Sequence, residues 1–129
     1  MPGSSKTLLT FRVGSLLFAV DESEIATVAD WRQPTPLPHA PPAVMGIISL
    51  QGRMLTVLDL RRVKDPEGAD NGIPNHLIAF RGDEQLALAV DAIENSIEAT
   101  GISGEVEVMD VRALFSSAIQ GRERRQRQF

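Results

Sequence analysis

A chain of 129 residues with 43% hydrophobic side chains can bury one core, as a single domain or as two small lobes that share it, and the absence of cysteine excludes disulfides, thiolate catalysis and Cys-based metal centres. The net charge of −4 is uneven: residues 121–129 carry +3, from Arg122, Arg124, Arg125 and Arg127 against Glu123, which leaves −7 on an acidic body ill-suited to nucleic acid. No apolar run approaches the roughly 18 residues of a membrane span, and with no signal-peptide pattern the expected compartment is the cytoplasm.

In chain order, residues 1–6 are small and polar and read as a frayed end. TLLTFRV (7–13) and LLFAV (16–20) predict a hairpin across Gly14-Ser15. Residues 21–24 predict a turn, and 25–29 a short strand or a single helical turn. Pro34, Pro36, Pro38, Pro41 and Pro42 then make an extended connector, since each proline fixes φ and removes a donor. VMGIISL (44–50), a turn at Gln51-Gly52 and a strand over 54–60 form a central hairpin. Its near-continuous apolar runs predict strands covered on both faces, and the deepest hairpin of the molecule. Asp59 is placed to cap the helical exit at 61–63. Residues 64–75 are a loop by composition. A further hairpin (76–80 and 86–90) turns at 82–84, a short element follows at 91–97 and a strand at 105–109. Asp110 is the expected N-cap of a helix over 111–119, with Val111, Leu114, Phe115 and Ala118 on one face.

An internal repeat organises these elements. Phe11-Arg12 followed by LLFAVD (16–21) returns as Phe80-Arg81 followed by LALAVD (86–91), and VLDLR (57–61) returns as VMDVR (108–112). From Asp21 to Asp59 is 38 positions, whereas from Asp91 to Asp110 is 19. The second copy therefore lacks a counterpart of the proline connector and of strand 44–50, and is expected to be an incomplete lobe short by about two strands. A sheet cut in this way exposes edges.

Thr35-Pro36-Leu37-Pro38, Ala40-Pro41, the run VMGIISLQGR (44–53) and VLDLR (57–61) resemble, in that order, the CheW-like family of coupling proteins from bacterial chemosensory arrays. The likeness spans about residues 7–114. It implies a mainly β fold of two SH3-like β-barrel lobes, here with the second lobe incomplete and a C-terminal helix: one intertwined two-lobed domain over 7–119 between a disordered start (1–6) and a basic flexible tail (120–129). It also implies a non-catalytic adaptor without cofactor or metal. The partners implied are the cytoplasmic tip of a methyl-accepting chemoreceptor, and a CheA-type histidine kinase or another CheW-like protein. Carried over position by position, the receptor groove falls on Ile25, Thr27, Val28, Ile48, Leu50, Gln51 and Arg53. The family often has an acid where this chain has Thr27 and an Arg where it has Gln51, so a charged pair is replaced by two neutral groups, which alters partner electrostatics more than stability. In the family the second lobe carries much of the kinase-docking surface. Its shortening implies weakened or lost kinase binding, as in the short CheW-like protein of the Frz gliding-reversal system of myxobacteria, to which this chain is similar.

Other readings are weaker on the residues. An ordinary coupling protein that bridges receptor and kinase fits all but the shortened copy. An SH3-like nucleic-acid-binding barrel would need an aromatic platform, and the chain has no Tyr and five Phe, mostly in core-like strings. No set of convergent titratable groups supports an enzyme, and His39 and His76 share no metal-ligand spacing with a carboxylate. Trp31 is expected to cover a barrel end.

Overall fold

A computed structural model describes residues 6–64, 73–82, 85–101, 106–114 and 116. Within them the strands are β1 (Thr7–Val13), β2 (Leu16–Asp21), β3 (Ile25–Asp30), β4 (Val44–Leu50), β5 (Arg53–Asp59), β6 (His76–Phe80), β7 (Leu86–Val90), β8 (Ala92–Glu98) and β9 (Val106–Val108). A short helix, α1 (Leu60–Lys64), follows β5. A helical turn at 111–114 follows β9, with 116 also helical. Residues 1–5, 120–129 and most of the predicted 64–75 loop lie outside the described residues, as do positions 83 and 84 of the predicted 82–84 turn, 105 of the predicted 105–109 strand, and 115 and 117–119 of the predicted C-terminal helix.

Two sheets form, in the order β8-β1-β2-β9 and β3-β6-β7-β5-β4. The repeat reappears as an exchange of strands. Each sheet is built on the hairpin of one copy and takes its remaining strands from the other. β3 pairs antiparallel with β6 as β8 does with β1, and β5 pairs parallel with β7 as β9 does with β2. The shortened sheet is therefore the one that holds β1 and β2, although the deletion lies in the second copy. Among the described residues it is one strand short of its counterpart rather than about two, because the missing stretch corresponds to β4 and to a connector that adds no full strand of its own.

The sheets pack face to face on one core. Leu9, Phe11, Val13, Phe18 and Val20 meet Leu58, Ile78, Phe80, Leu86, Leu88 and Val90, and Leu60, Val111 and Leu114 from the two helical segments close it. Strand alternation sends Leu77, Ala79, Ala87 and Ala89 to the other face, where they join Ile48, Leu55 and Val57 in a second cluster. Strands β6 and β7 are thus buried on both sides. They, and not the central hairpin, are the deepest part of the molecule: every residue of β7 is buried, whereas β4 buries only Gly46 and Ile48. The physical reason is position, since β4 is an outer strand of its sheet and one of its edges faces the connector instead of a ladder.

Local signals in the sequence act as their chemistry requires. Asp59 Oδ1 accepts the Arg61 N–H and Asp110 Oδ1 the Arg112 N–H, each at 3.0 Å, so the same cap starts a helical turn in both copies. Gln51 and Gly52 have φ of 52° and 80°, the doubly positive geometry that suits a tight hairpin. Residues 25–29, open between strand and helix on the sequence, lie within β3, which pairs with β6. Thr10 is the buried polar side chain of β1: its hydroxyl donates to Asn95 O (3.0 Å) and accepts from Asn95 N (2.9 Å), which satisfies the backbone where the β1/β8 register shifts.

Candidate partner-binding surface

The site begins with a glycine. Gly46 has φ 145°, and a Cβ there would lie 2.2 Å from Thr35 O, so only glycine lets the connector approach β4. Thr35 and Ile47 then exchange two backbone hydrogen bonds of 2.9 Å, and the Arg32 guanidinium donates to Ser49 O at 2.5 Å. The chain leaves β3, crosses the sheet end and lies along the outer edge of β4. Trp31 packs half-buried against the second cluster.

Between connector and β4 lies an open cavity of about 480 Å³, lined among others by Arg32, Gln33, Leu37, Ile47, Ser49 and Met54. Met54 and Leu37 are 57% and 41% exposed, although apolar side chains of this size are ordinarily covered. The surface therefore combines an apolar floor, one guanidinium at its rim and backbone anchored on both sides. That arrangement suits non-covalent docking of an apolar segment, and among the described residues no three His, Asp or Glu side chains gather as a metal site.

The residues assigned to a groove by resemblance are dispersed over this sheet. Ile25, Thr27 and Val28 lie on β3 and Ile48 and Leu50 on β4, the two outer strands, with β6, β7 and β5 between. Ile48 is buried and Leu50 half-buried in the second cluster, and Ile25 packs on the main core. Thr27 pairs with Ala79, while Val28, opposite Ile78, is 42% exposed. Gln51 is exposed in its turn. Arg53 turns inward and donates to Phe80 O (3.3 Å) and Gly82 O (3.2 Å), fastening the start of β5 to the end of β6. Of the seven, Ile48 alone lines the 480 Å³ cavity. Leu37, Ile47 and Met54 were not singled out on the sequence. The signal was available in the pairing register, because Ser49 faces Met54 and Ile47 faces Thr56 on the side opposite Ile48 and Leu50.

Electrostatics differ between the copies at the matching Asp21 and Asp91. Asp91 receives the Arg61 guanidinium at 2.5 and 2.6 Å and the Gly14 N–H at 2.5 Å, joining α1, the β1/β2 turn and the end of β7. Asp21 accepts from the Ser23 N–H and hydroxyl and faces Lys6 Nζ at 3.8 Å. The Ser23 backbone N–H is the largest cause holding its carboxyl below the usual range, followed by the Ser23 hydroxyl; desolvation opposes them and Lys6 assists.

Two exchanged sheets, the docked connector and the capped repeats coincide with a match of residues 7–120 to the CheW-like domain. The chain belongs to the CheW-like family. It is 28% identical over 96 residues to the chemotaxis protein CheW of Rhizobium meliloti (strain 1021), covering 74% of this chain and 62% of that protein. Against CheW of Thermotoga maritima it is 24% identical over 103 residues, covering 74% and 68%. The crystal structure of the scaffolding protein TtCheW from Thermoanaerobacter tengcongensis superimposes with a TM-score of 0.63 at 25% identity, over 72% of this chain and 64% of that one. The chain thus spans about three-fifths of the length of the first of these CheW relatives. Among the described residues, no helix of this CheW-like protein is long and apolar enough to cross a membrane.

Proposed function

We propose that this CheW-like protein is a non-catalytic scaffold of a chemosensory array, that it binds the cytoplasmic tip of a chemoreceptor through the five-stranded sheet, and that its binding to a CheA-type kinase is weakened or lost. The observation that carries the reading is the inequality of the sheets. The sheet with β4 and the connector is whole and bears the apolar cavity beside Ile48, with Leu37 and Met54 exposed at it. Among the described residues its counterpart ends at β9, without the surface that a further strand would build. Receptor contacts are assigned to Val28, Gln51 and the cavity rim, with Ile25, Thr27, Ile48, Leu50 and Arg53 shaping the strands beneath them. A receptor helix laid on such a surface would gain affinity from a few apolar anchors.

Calorimetric titration of the protein with a receptor-tip fragment, and in parallel with the regulatory domain of the cognate kinase, tests both halves. Receptor binding with no kinase binding at tens of micromolar is the expected result. Kinase binding at micromolar or tighter, about −8 kcal/mol, would make this an ordinary coupling protein instead. Absence of receptor binding, with Met54→Lys indistinguishable from the parent, would remove the reading altogether.

A further inference from the structure

Among the described residues the four-stranded sheet stops where the five-stranded one continues. Leu58 and Met109 hold the same place in the two copies. The Met109 N–H donates to Ala19 O at 2.8 Å, so the backbone of Val108 and Asp110, one residue to either side, points away from β2. In the larger sheet the corresponding outward groups meet β4 and the residue just before it: Val57 pairs with Gly46, and the Asp59 N–H donates to Ala43 O at 2.8 Å. Among the described residues β9 has no strand on its outer side. A cavity of about 460 Å³ opens beside it, with Leu8, Val108 and Met109 as its apolar wall and Asp21, Glu24 and Asp110 against the single ammonium of Lys6.

We propose that this edge takes up an extended segment of a partner protein as an added strand, antiparallel to β9 as β4 is to β5. An apolar side chain of that segment enters the cavity beside Leu8 and Met109, and a Lys or Arg meets the carboxylates. The molecule supplies the template, because the same module in its complete copy carries a strand at this position. Strand addition draws affinity from main-chain hydrogen bonds and specificity from alternate side chains. The carboxylates, three against one ammonium, set the sign of the ligand. A second copy of the chain suits the edge poorly: two β9 strands paired about a twofold axis through Glu107 would place the glutamates opposite one another. The inference concerns a different sheet edge from the receptor surface and stands or falls separately from it.

Amide hydrogen exchange of the whole chain, followed by NMR, tests it with two synthetic octapeptides. One alternates Val and Thr between lysines, and the other carries glutamates in place of the lysines. The lysine peptide is expected to slow exchange of the Val108 and Asp110 amides at least tenfold, and the glutamate peptide to leave them unchanged at the same concentration. Val108→Pro, which removes an outward N–H, should abolish the effect; Glu24→Lys, on an exposed turn and so safe for folding, should weaken it at least fivefold. No slowing up to millimolar peptide, or slowing confined to another strand, overturns the proposal. So does protection already present without peptide, whether it grows with protein concentration (a second copy) or vanishes when residues 117–129 are removed (the chain's own tail).

Discussion

Val57 and Val108 stand at the same point of two copies of one module, and their immediate neighbours are similar, yet Val57 is 0% exposed and Val108 52%. The difference comes from what lies alongside. Val57 has β4 on one side and β7 on the other, whereas among the described residues Val108 has β2 alone. Burial is therefore a property of the assembled sheet and not of the local string, and losing one strand of seven residues turns a core position into surface.

The comparison can be broken most forcefully at Gly46, which has no equivalent in the short copy. Gly46→Ala forces a Cβ into Thr35 O and should release the connector, with a loss of about 3 kcal/mol or more in urea unfolding. Next, the paired truncations Val57→Ala and Val108→Ala should differ sharply: about 2 kcal/mol for the first, within about 0.5 kcal/mol for the second. Equal costs would mean that β9 is covered in solution. The repeated aspartates sharpen the contrast further. Asp91→Ala removes the acceptor of Arg61 and of the Gly14 N–H and should cost about 2 kcal/mol, whereas Asp21→Ala removes a local turn bond and a distant lysine and should cost about 1 kcal/mol or less.

The smallest effect is in pH. The folded carboxyl of Asp21 titrates below its unfolded value, so the folded state binds fewer protons and its stabilisation is present above the unfolded pKa of about 3.9. It is lost as pH falls through the folded pKa. Asp21→Asn should thus flatten the acid limb of stability slightly below about pH 4 while leaving the neutral region parallel to the parent, as read from denaturant midpoints against pH.

Much of this architecture was legible because the relevant physics is local. Two capping aspartates, a Gln-Gly turn, alternation in the hairpins and the repeated strings all announce themselves within a few residues. The order of strands was not, since nothing in residues 7–21 says that both partners of that hairpin lie beyond residue 90. For the same reason the depth of the central hairpin was overestimated: a run of Val, Ile and Leu looks alike in an inner and an outer strand. The candidate surface was half legible. The connector and β4 stood out by composition, but Leu37 and Met54 gain meaning only from the register that leaves them exposed beside the cavity.

The exchange of strands also sets a timetable for the nascent chain. The β1/β2 hairpin is complete at Asp21, but its flanking strands β8 and β9 end at Glu98 and Val108. During synthesis at about 5–20 residues per second, both edges of that hairpin stay open for several seconds. Neither copy can finish its own sheet, so among the described strands the last one translated is also the one that lets the first hairpin settle, and a ribosome stalled in the 65–75 stretch would display a protein with both sheets begun, on the β1/β2 and β4/β5 hairpins, and neither closed.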